Sequence, residues 1–461
     1  MKNIYIKKYG IYIFLFLLGL FSLVTLNYIT TTLFVFTVII FWAYKRNIPF
    51  FPIFLFAFAF LLRIIIVLCV KTPPQSDFSV MYRASQDILN NDFGFVNTVY
   101  FKNWAYQIGF VFYQSILMRI CNNILFLKTV NCLLSALTVV TVYLCAKEIA
   151  GKKAAVSVSL VYCVLPFSLT LVTVLTNQIP ATLLIYLAIY VIISKELKFN
   201  LYIRYFLFAV LCVFSNVLRP EGITVILAVV FSLVLTFNKV RFKQNVINIL
   251  IVTSVYFLLF KIISHIFKVS GLSPLGLTNN APYWKFVLGL NYETSGTYSS
   301  EDTFVLGNAQ AAYSLIKERI TMPFSKLAIL FCRKINSFWF KTTLDWSFGF
   351  ASGGLELFGK NFDITGICKW LEKSNTFSMV IIYALSALGT LFGIVKKKIN
   401  YKFLIFANMM LVTFGAYLLI EVQPRYVYNI LPAVFILAAV GLSSVSEVMK
   451  SKLVAKKGNQ I

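Results

Sequence analysis

The stretch TPPQSDFSVMYRA, residues 72–84, lies between a long apolar segment and an amphipathic one and carries one carboxylate, Asp77. Two prolines disfavour helix just before this carboxylate, so Ser76 or Asp77 is predicted to be the N-cap of the helix that follows. A carboxylate at the end of a membrane span can also serve as a general base that takes a proton from an acceptor. The two roles are partly compatible.

The composition excludes a soluble protein of this size. Of the 461 residues, 59% are hydrophobic and only 13% are charged, and the mean hydropathy is +0.83, which is typical of a polytopic membrane protein. The net charge is +26, but the Lys and Arg residues form small clusters between apolar runs. This distribution indicates cytoplasmic loops under the positive-inside rule and not a nucleic-acid partner.

Apolar runs set the architecture, because a bilayer core of roughly 30 Å needs about 20 residues per helix and tolerates about 17. They predict an all-α protein with about twelve transmembrane helices, the first of which is an uncleaved span. The predicted spans are residues 11–27, 29–44, 48–70, 124–146, 154–172, 178–193, 203–219, 222–238, 246–266, 377–395, 402–420 and 427–447.

Clusters of Lys and Arg orient these spans. With the N-terminus inside, every short inner loop carries such a cluster, which predicts a cell-membrane protein with cytoplasmic termini. The outer side receives two long segments, residues 71–123 and 267–376, and most of the acidic residues. We therefore divide the chain into an N-terminal transmembrane module (1–266), a large extracytoplasmic loop region (267–376) and C-terminal transmembrane helices (377–461). The inner cations are Lys2, Lys7, Lys8, Lys45, Arg46, Lys147, Lys152, Lys153, Lys195, Lys198, Lys239, Arg241, Lys243, Lys396, Lys397, Lys398, Lys450, Lys452, Lys456 and Lys457.

Both outer segments contain amphipathic runs and are predicted to be structured. Apolar residues recur at helical spacing from Phe78 to Leu89, which predicts a helix in the membrane interface. A second run at 106–118 is predicted to be interfacial or re-entrant. In the second segment, helical stretches are predicted at about 303–317 and 323–340, the latter with interspersed cations that suit an interfacial helix.

Two arginines lie at the outer ends of predicted spans. Arg219 and Glu221 occur in SNVLRPEGI between two spans, and Arg425 precedes Tyr426 in EVQPRYVYNILPAV at the start of the last span. Guanidinium groups are well suited to phosphate contacts. The alternatives are an Arg219–Glu221 ion pair and simple anchoring among lipid headgroups.

Three further polar residues, Asp302, Arg63 and His265, bear on the chemistry. Asp302, in YSSED, is either a solvated loop carboxylate or a group that orients an acceptor or a metal. Arg63, well inside the third span, is costly in lipid and should face protein. His265 is the only histidine, which argues against a His-based metal site or a Ser-His-Asp triad. No metal and no cofactor are predicted.

Four motifs resemble the integral-membrane glycosyltransferases that use polyprenyl-phosphate sugars, the GT-C superfamily. They are SDFSVMYRA, NVLRPEG, YWKFVLGLNYETSGTYSSED and QPRY, in this order and on one predicted side. Within the superfamily they resemble bacterial glycosyltransferase family 39, which is related to the protein mannosyltransferases and to the lipid A aminoarabinose transferase.

The resemblance implies a GT-C type fold and roles for particular residues. Asp77 matches the proposed base of the family's first outer loop, and Tyr82 matches the aromatic residue that follows it. Arg219 and Arg425 match the outer arginines that bind the donor phosphate. Asp77 is followed by Phe78, unlike the Asp-Glu pair of the protein mannosyltransferases, and this difference argues against a protein acceptor.

These observations predict a glycosyltransferase that moves a sugar from a polyprenyl-phosphate donor to an acceptor on the outer face. Plausible acceptors are a cell-envelope glycan, a teichoic acid or a glycolipid. The alternatives are a transporter or flippase of a lipid-linked saccharide and a polysaccharide polymerase. Transporters often show repeats and binding groups near the bilayer midplane, whereas this sequence has no repeat of fixed period and concentrates its polar groups in the outer segments.

Overall fold

The computed structural model describes residues 15–45, 48–237, 240–341, 343–351, 355–357, 360–362, 364–396 and 399–458. The start of the first predicted span and the predicted inner cations Lys2, Lys7, Lys8, Arg46, Lys239, Lys397 and Lys398 lie outside these residues. The described chain is helical apart from its loops and turns and one two-stranded antiparallel hairpin.

Nineteen helices follow one another along the described chain. They are α1 (Leu15–Thr25), α2 (Tyr28–Lys45), α3 (Phe51–Cys69), α4 (Ser76–Leu89), α5 (Val99–Asn103), α6 (Ile108–Ile120), α7 (Ile124–Ala150), α8 (Lys152–Val164), α9 (Pro166–Thr170), α10 (Gln178–Ile193), α11 (Leu201–Leu218), α12 (Gly222–Leu235), α13 (Phe242–Val269), α14 (Trp284–Gly289), α15 (Ala309–Ile320), α16 (Phe324–Ile335), α17 (Ile364–Val395), α18 (Tyr401–Leu419) and α19 (Leu431–Gly458). The hairpin strands are β1 (Leu355–Leu357) and β2 (Lys360–Phe362).

Short turns of tighter or wider pitch connect some of the helices. The 3₁₀ turns are Gly94–Asn97, Ala105–Gln107, Leu171–Thr173, Glu301–Val305 and Pro424–Asn429, and the π turns are Asn336–Phe340 and Asp345–Gly349.

The apolar helices establish a multi-pass membrane protein. Among the described residues, eight helices are long and apolar enough to cross a membrane, or nine if the pair Lys152–Val164 and Pro166–Thr173, bent by 59°, is counted as one span. The helices α1, α10 and α12 are apolar but shorter than 18 residues. A helix therefore lies at every predicted span, while the total of twelve crossings stays a prediction.

The predicted outer helices are present with shifted ends. The helix predicted from Phe78 begins at Ser76, and the run at 106–118 forms α6. The stretch predicted at 303–317 is a 3₁₀ turn followed by α15, and the stretch at 323–340 is α16 followed by a π turn. α17 begins at Ile364, well before the predicted span at 377, because its first three turns extend the helix into the second outer segment.

The core lies where α7, α8, α10 and α19 pack on one another. The first turns of α19, residues 431–439, are buried on every side, as expected of a helix that is apolar all round. Arg63 on α3 is fully buried, as predicted, and donates hydrogen bonds to Ser135 Oγ at 2.7 Å and Ser168 Oγ at 3.3 Å. This buried core fixes the positions of the helix ends that line the cavity.

The two outer segments are joined to each other and to the end of α18. The backbone N–H of Asn280 donates to Asn103 O at 2.9 Å, and that of Tyr106 donates to Thr278 O at 3.0 Å. The backbone N–H of Glu421 donates to Lys285 O at 2.7 Å. Through these contacts the two outer segments form one layer that covers the helix ends, which we call the roof.

Candidate active site

A cavity of about 340 Å³ lies under this roof, where the ends of α11 and α18 meet the starts of α4 and of the 424–429 turn. Its walls contain three cations, three carboxylates, eight aromatic side chains and four side-chain amides. The polar and aromatic residues that line it are Asp77, Phe78, Tyr100, Trp104, Tyr106, Gln107, Asn177, Arg219, Glu221, Asn279, Trp284, Lys285, Tyr298, Tyr417, Glu421, Gln423, Arg425 and Tyr426.

Arg425 is 4% exposed, and three aromatic rings hold its guanidinium. The guanidinium carbon lies 4.3 Å from the ring centre of Trp346, 4.8 Å from that of Phe78 and 5.3 Å from that of Tyr426. Its Nε donates to Gln423 Oε1 at 2.7 Å. Stacking on ring faces is favourable for guanidinium and fixes the plane in which it can bind a ligand.

Asp77 lies across from Arg425 at the entrance to the same cavity. Its Oδ2 is 3.9 Å from Arg425 Nη2, and its side chain is 47% exposed whereas that of Arg425 is 5% exposed. In the described part of the chain no other cation lies within 4 Å of this carboxylate. Asp77 is therefore a solvent-accessible carboxylate beside a fixed cation.

The predicted capping role of Ser76 or Asp77 is wrong. The N-cap of α4 is Gln75, and no side chain caps the helix. The extended chain after the two prolines ends at Gln75 (φ −132°, ψ 156°), so Ser76, with φ +50°, already belongs to the first turn. Asp77 in this turn is favoured by the helix dipole but is not occupied by a capping hydrogen bond.

The ring of Tyr426 is shared by all three cations of the cavity. Its centre lies 5.1 Å from Arg219 Cζ, 5.3 Å from Arg425 Cζ and 5.4 Å from Lys285 Nζ. The hydroxyl of Tyr426 accepts a hydrogen bond from Lys285 Nζ at 3.2 Å. Lys285 also forms a salt bridge with Glu421, which is 2% exposed.

Arg219 and Glu221 form the ion pair that was the alternative to a phosphate contact, and both line the cavity. Arg219 Nη1 also donates to Asn177 Oδ1 at 3.0 Å. Asn429 Nδ2 donates to the second oxygen of Glu221. The pair is thus fixed by amides on α10's N-cap and on the 424–429 turn, and the guanidinium remains at the cavity wall.

The electrostatics keep these cations charged and the nearby phenols neutral. Burial alone would lower the pKa of Lys285, but Tyr426 and Glu421 outweigh it, so the pKa of Lys285 is raised. At Arg219 burial would also lower the pKa, but the neighbouring Glu221 carboxylate raises it, and the pKa of Arg219 is raised. Burial raises the pKa of Tyr100 and of Tyr106, so both hydroxyls remain hydrogen-bond donors at neutral pH.

Two of the seven predicted site residues lie away from the cavity lining. Tyr82 packs on the small apolar cluster of Met118, Leu127 and Leu175, and its hydroxyl accepts from Gln86 Nε2 at 3.2 Å. Five residues along an α-helix amount to a rotation of about 140°, so Tyr82 cannot share the face of Asp77.

Asp302 also lies elsewhere, in an ion pair that stabilises the second outer segment. Its two oxygens accept from Arg319 Nη2 at 2.7 Å and Nη1 at 3.0 Å, and Asn291 Nδ2 donates at 2.9 Å. The side chain is 5% exposed, so it is not the solvated loop carboxylate of the sequence interpretation. The bidentate geometry occupies both oxygens.

Several site residues escaped the sequence interpretation, notably Lys285, Glu421, Asn177 and Trp346. Lys285 stands alone in the aromatic and apolar run APYWKFVLGL, and Glu421 follows an apolar span directly. An isolated charge in an apolar run is a usable signal, since such a charge must find a partner. Asn177 and Trp346 have no comparable signal. In the described residues no group of three or more His, Cys, Asp or Glu side chains is placed to hold a metal ion.

Comparison with solved structures gives distant similarity to an archaeal enzyme. The crystal structure of the Archaeoglobus fulgidus oligosaccharyltransferase in the apo form matches with a TM-score of 0.49 and 15% identity, over 90% of this chain and 52% of that chain. The same enzyme tethered with an acceptor peptide containing the NVT sequon matches with 0.49 and 14%, over 88% and 50%.

A third structure, the oligosaccharyltransferase AglB from Archaeoglobus fulgidus in complex with an inhibitory peptide and a dolichol-phosphate, gives a TM-score of 0.48 and 13% identity over 89% and 52%. This chain spans about half the length of the solved structures that it matches. No protein-family model matches the chain, and no curated protein matches it.

Proposed function

We propose that this protein is a GT-C type membrane glycosyltransferase that transfers a sugar from a polyprenyl-phosphate donor to an acceptor at the outer face. The observation that carries the proposal is the position of Asp77, a solvent-accessible carboxylate 3.9 Å from the guanidinium of Arg425, which is stacked on three aromatic rings. The same cavity contains two further cations. One wall can hold a phosphate while the opposite carboxylate stays free to take a proton.

The cations are proposed to bind the donor phosphate. The guanidinium of Arg425 is fixed by three rings and one hydrogen bond, so little side-chain entropy is lost when an anion binds it. Arg219 and Lys285 meet it at the ring of Tyr426. Positive charge fixed where the leaving phosphate develops negative charge stabilises the transition state.

Asp77 is proposed to be the general base. The acceptor hydroxyl gives its proton to the Asp77 carboxylate while its oxygen forms a bond to the anomeric carbon. The bond from that carbon to the phosphate oxygen breaks, and the polyprenyl phosphate leaves with the electron pair. Direct displacement of this kind inverts the anomeric centre. The reaction needs no oxidant and no further reactant.

The aromatic and amide walls suit the uncharged parts of the substrates. Tyr100, Trp104 and Trp284 present ring surfaces, and Gln107 and Asn279 present amides, in the same cavity. Rings and amides are the usual small set of groups that orient a polar ligand in a pocket. We propose that the acceptor is a cell-envelope glycan, a teichoic acid or a glycolipid, and that family 39 is the subfamily.

The test uses the full chain in lipid nanodiscs with a panel of polyprenyl-phosphate sugars and envelope acceptors. Asp77→Asn should bind donor normally and transfer sugar slower by about 10²- to 10⁴-fold, the usual contribution of a general base. Arg425→Ala should weaken donor binding by about tenfold or more, because a hydrogen bond to a charged group is lost. Asp87→Asn, on the same helix but outside the cavity lining, is the matched control.

Full turnover by Asp77→Asn would show that the base assignment is wrong. Unchanged donor affinity in Arg425→Ala would leave this arginine a structural anchor. The transporter or flippase alternative predicts a different result for the unmodified protein, namely movement of the lipid-linked saccharide across the bilayer of a proteoliposome without any glycosylated product.

A further inference from the structure

Lys334 is a buried lysine that the proposed chemistry does not use. It lies on α16 in the second outer segment and is 1% exposed. Its Nζ donates to three backbone carbonyls, Gly289 O at 2.6 Å, Leu418 O at 2.7 Å and Ile420 O at 2.9 Å. An ammonium has three N–H donors, so these three acceptors satisfy it completely.

The three carbonyls belong to the ends of two helices. Gly289 is the last residue of α14, Leu418 lies in the last turn of α18, and Ile420 follows that turn. The last four carbonyls of a helix have no partner within the helix, and a cation is favourable at this end. A single ammonium therefore donates hydrogen bonds to carbonyls at the C-terminal ends of both α14 and α18.

The same two helix ends carry one of the cation–carboxylate pairs of the cavity. Lys285 lies on α14 one turn before Gly289, and Glu421 directly follows Ile420. Their salt bridge spans the gap that Lys334 also spans. A shift of α14 relative to the end of α18 would move Lys285 with respect to both Glu421 and Tyr426, to which it is bonded.

The chain around Gly296 encloses the lysine stem. A Cβ added at Gly296 would lie 2.8 Å from Lys334 Cδ and 2.9 Å from Lys334 Cε, and the residue has φ +79°. Its carbonyl accepts from the backbone N–H of Val422 at 2.9 Å. Glycine is needed here both for the left-handed backbone and for the space that the lysine stem occupies.

The energetic demand of this arrangement is high. Burial lowers the pKa of Lys334 to about 7, and the Glu421 carboxylate opposes that decrease. A neutral amine has only two N–H donors and would leave one of the three carbonyls without a partner. The three carbonyl acceptors therefore favour the charged form, in which each N–H of Lys334 has a partner.

We infer that Lys334 is a positioning residue that sets the location of Lys285 and Glu421 in the cavity by holding the ends of α14 and α18 together. The identity of the anion that Lys285 helps to bind rests on the proposed function, whereas the positioning itself does not. The geometry assigns no contact between Lys334 and a substrate.

The first experiment measures the coupling between Lys285 and Glu421 without any ligand. Melting temperatures are compared for Lys285→Met, Glu421→Gln and the double variant, in the otherwise unmodified protein and again with Lys334→Met. In the unmodified background the double variant should shift the melting temperature by clearly less than the two single shifts together, as coupled neighbours do. With Lys334→Met, the shift of the double variant should equal the sum of the two single shifts. Equal coupling in both backgrounds would overturn the inference.

The second experiment measures binding of polyprenyl phosphate in nanodiscs. Lys334→Met should weaken binding by at least about tenfold, the scale on which supporting partners of a ligating group act. Lys326→Met, an exposed lysine on the same helix, should leave the affinity unchanged. Lys334→Arg keeps a cation with several N–H donors at this position and should retain most of the affinity, which keeps the inference testable if Lys334→Met does not fold.

The two experiments separate the possible failures. If the unmodified protein does not bind polyprenyl phosphate, the proposed function fails while the coupling experiment still decides the role of Lys334. If the unmodified protein binds and Lys334→Met binds equally well with intact coupling, the proposed function stands and the positioning role is wrong.

Discussion

Each cation of the cavity is held by a different anchor before any ligand binds. Arg425 is stacked on Trp346 and Phe78, Arg219 is paired with Glu221, and Lys285 is paired with Glu421. Groups that are already fixed lose little freedom when they bind, and they cost no reorganisation when charge develops on a leaving group. A phosphate would therefore meet a preorganised site.

The buried pair of Asp302 and Arg319 makes a prediction on stability and pH. Burial alone would raise the pKa of Asp302, but the Arg319 hydrogen bonds and the Asn291 hydrogen bond outweigh it and lower the pKa below its usual value. A lowered pKa in the folded state contributes stability that is complete above the usual value and is lost as the pH falls through the lowered one.

Asp302→Asn should therefore lower the free energy of unfolding at neutral pH by about 3 kcal/mol, because it leaves Arg319 without its charged partner. The difference between the two proteins should shrink as the pH falls below about 4. Thermal unfolding at several pH values in detergent measures both effects. Glu301→Gln, an exposed neighbour, should change neither, and a pH-independent difference would contradict the prediction.

Two helices in the C-terminal part of the chain cross in close backbone contact. α17 and α19 approach at Gly389 and Gly441, where a Cβ added at Gly441 would overlap Leu385 O and one added at Gly389 would lie 2.6 Å from Gly441 N. Small residues permit such backbone contact between membrane helices. α19 follows the 424–429 turn after one residue, so the crossing fixes the helix that continues from this turn.

Gly441→Ala should lower the free energy of unfolding by about 1–3 kcal/mol through overpacking. Gly415→Ala is the matched control, since a Cβ added there meets nothing within 4 Å and alanine favours a helix interior by about 1 kcal/mol over glycine. Melting temperatures of the two variants should move in opposite directions. A Gly441→Ala protein as stable as the unmodified one would show that the helices can separate at no cost.

The candidate site is assembled where the ends of several helices meet the two outer segments. The cavity draws on α4, α11, α14 and the segment from Glu421 to Tyr426, which are far apart in sequence. Backbone hydrogen bonds between the outer segments close the roof over it. A lipid-borne donor and a water-borne acceptor can meet at such a boundary, which is the physical basis of the proposed reaction.

The orientation of the molecule is tested by thiol labelling in intact cells. Cys121 and Cys332 are exposed, free thiols on the side predicted to be extracytoplasmic. In Cys121→Ser, a membrane-impermeant maleimide should modify Cys332 without permeabilisation. In the control, Cys121→Ser with Cys332→Ser, Cys368→Ser and Lys198→Cys, labelling should require permeabilisation, because Lys198 lies in a predicted inner loop and the partly exposed outer Cys368 is removed. The reverse pattern would contradict the positive-inside assignment.

Local sequence patterns determined the membrane class, the location of the helices and much of the candidate site. Hydropathy depends on adjacent residues only, so α3, α7 and α13 were predictable from apolar runs alone. Asp77, Arg219, Glu221, Arg425 and Tyr426 were identifiable because each is a polar residue at the end of such a run, and all five line the cavity.

Tertiary structure alone decided which of these groups have partners and which remain accessible. Trp346 stacks on Arg425, Glu421 pairs with Lys285, and Lys334 joins the ends of α14 and α18. These contacts join residues between 45 and 136 positions apart, and no helical or hydropathic period connects such positions. The sequence placed charges at the helix ends, and the packing of helices over long chain distances determined that Asp77 is solvent-accessible and lies 3.9 Å from a guanidinium that is stacked on three aromatic rings.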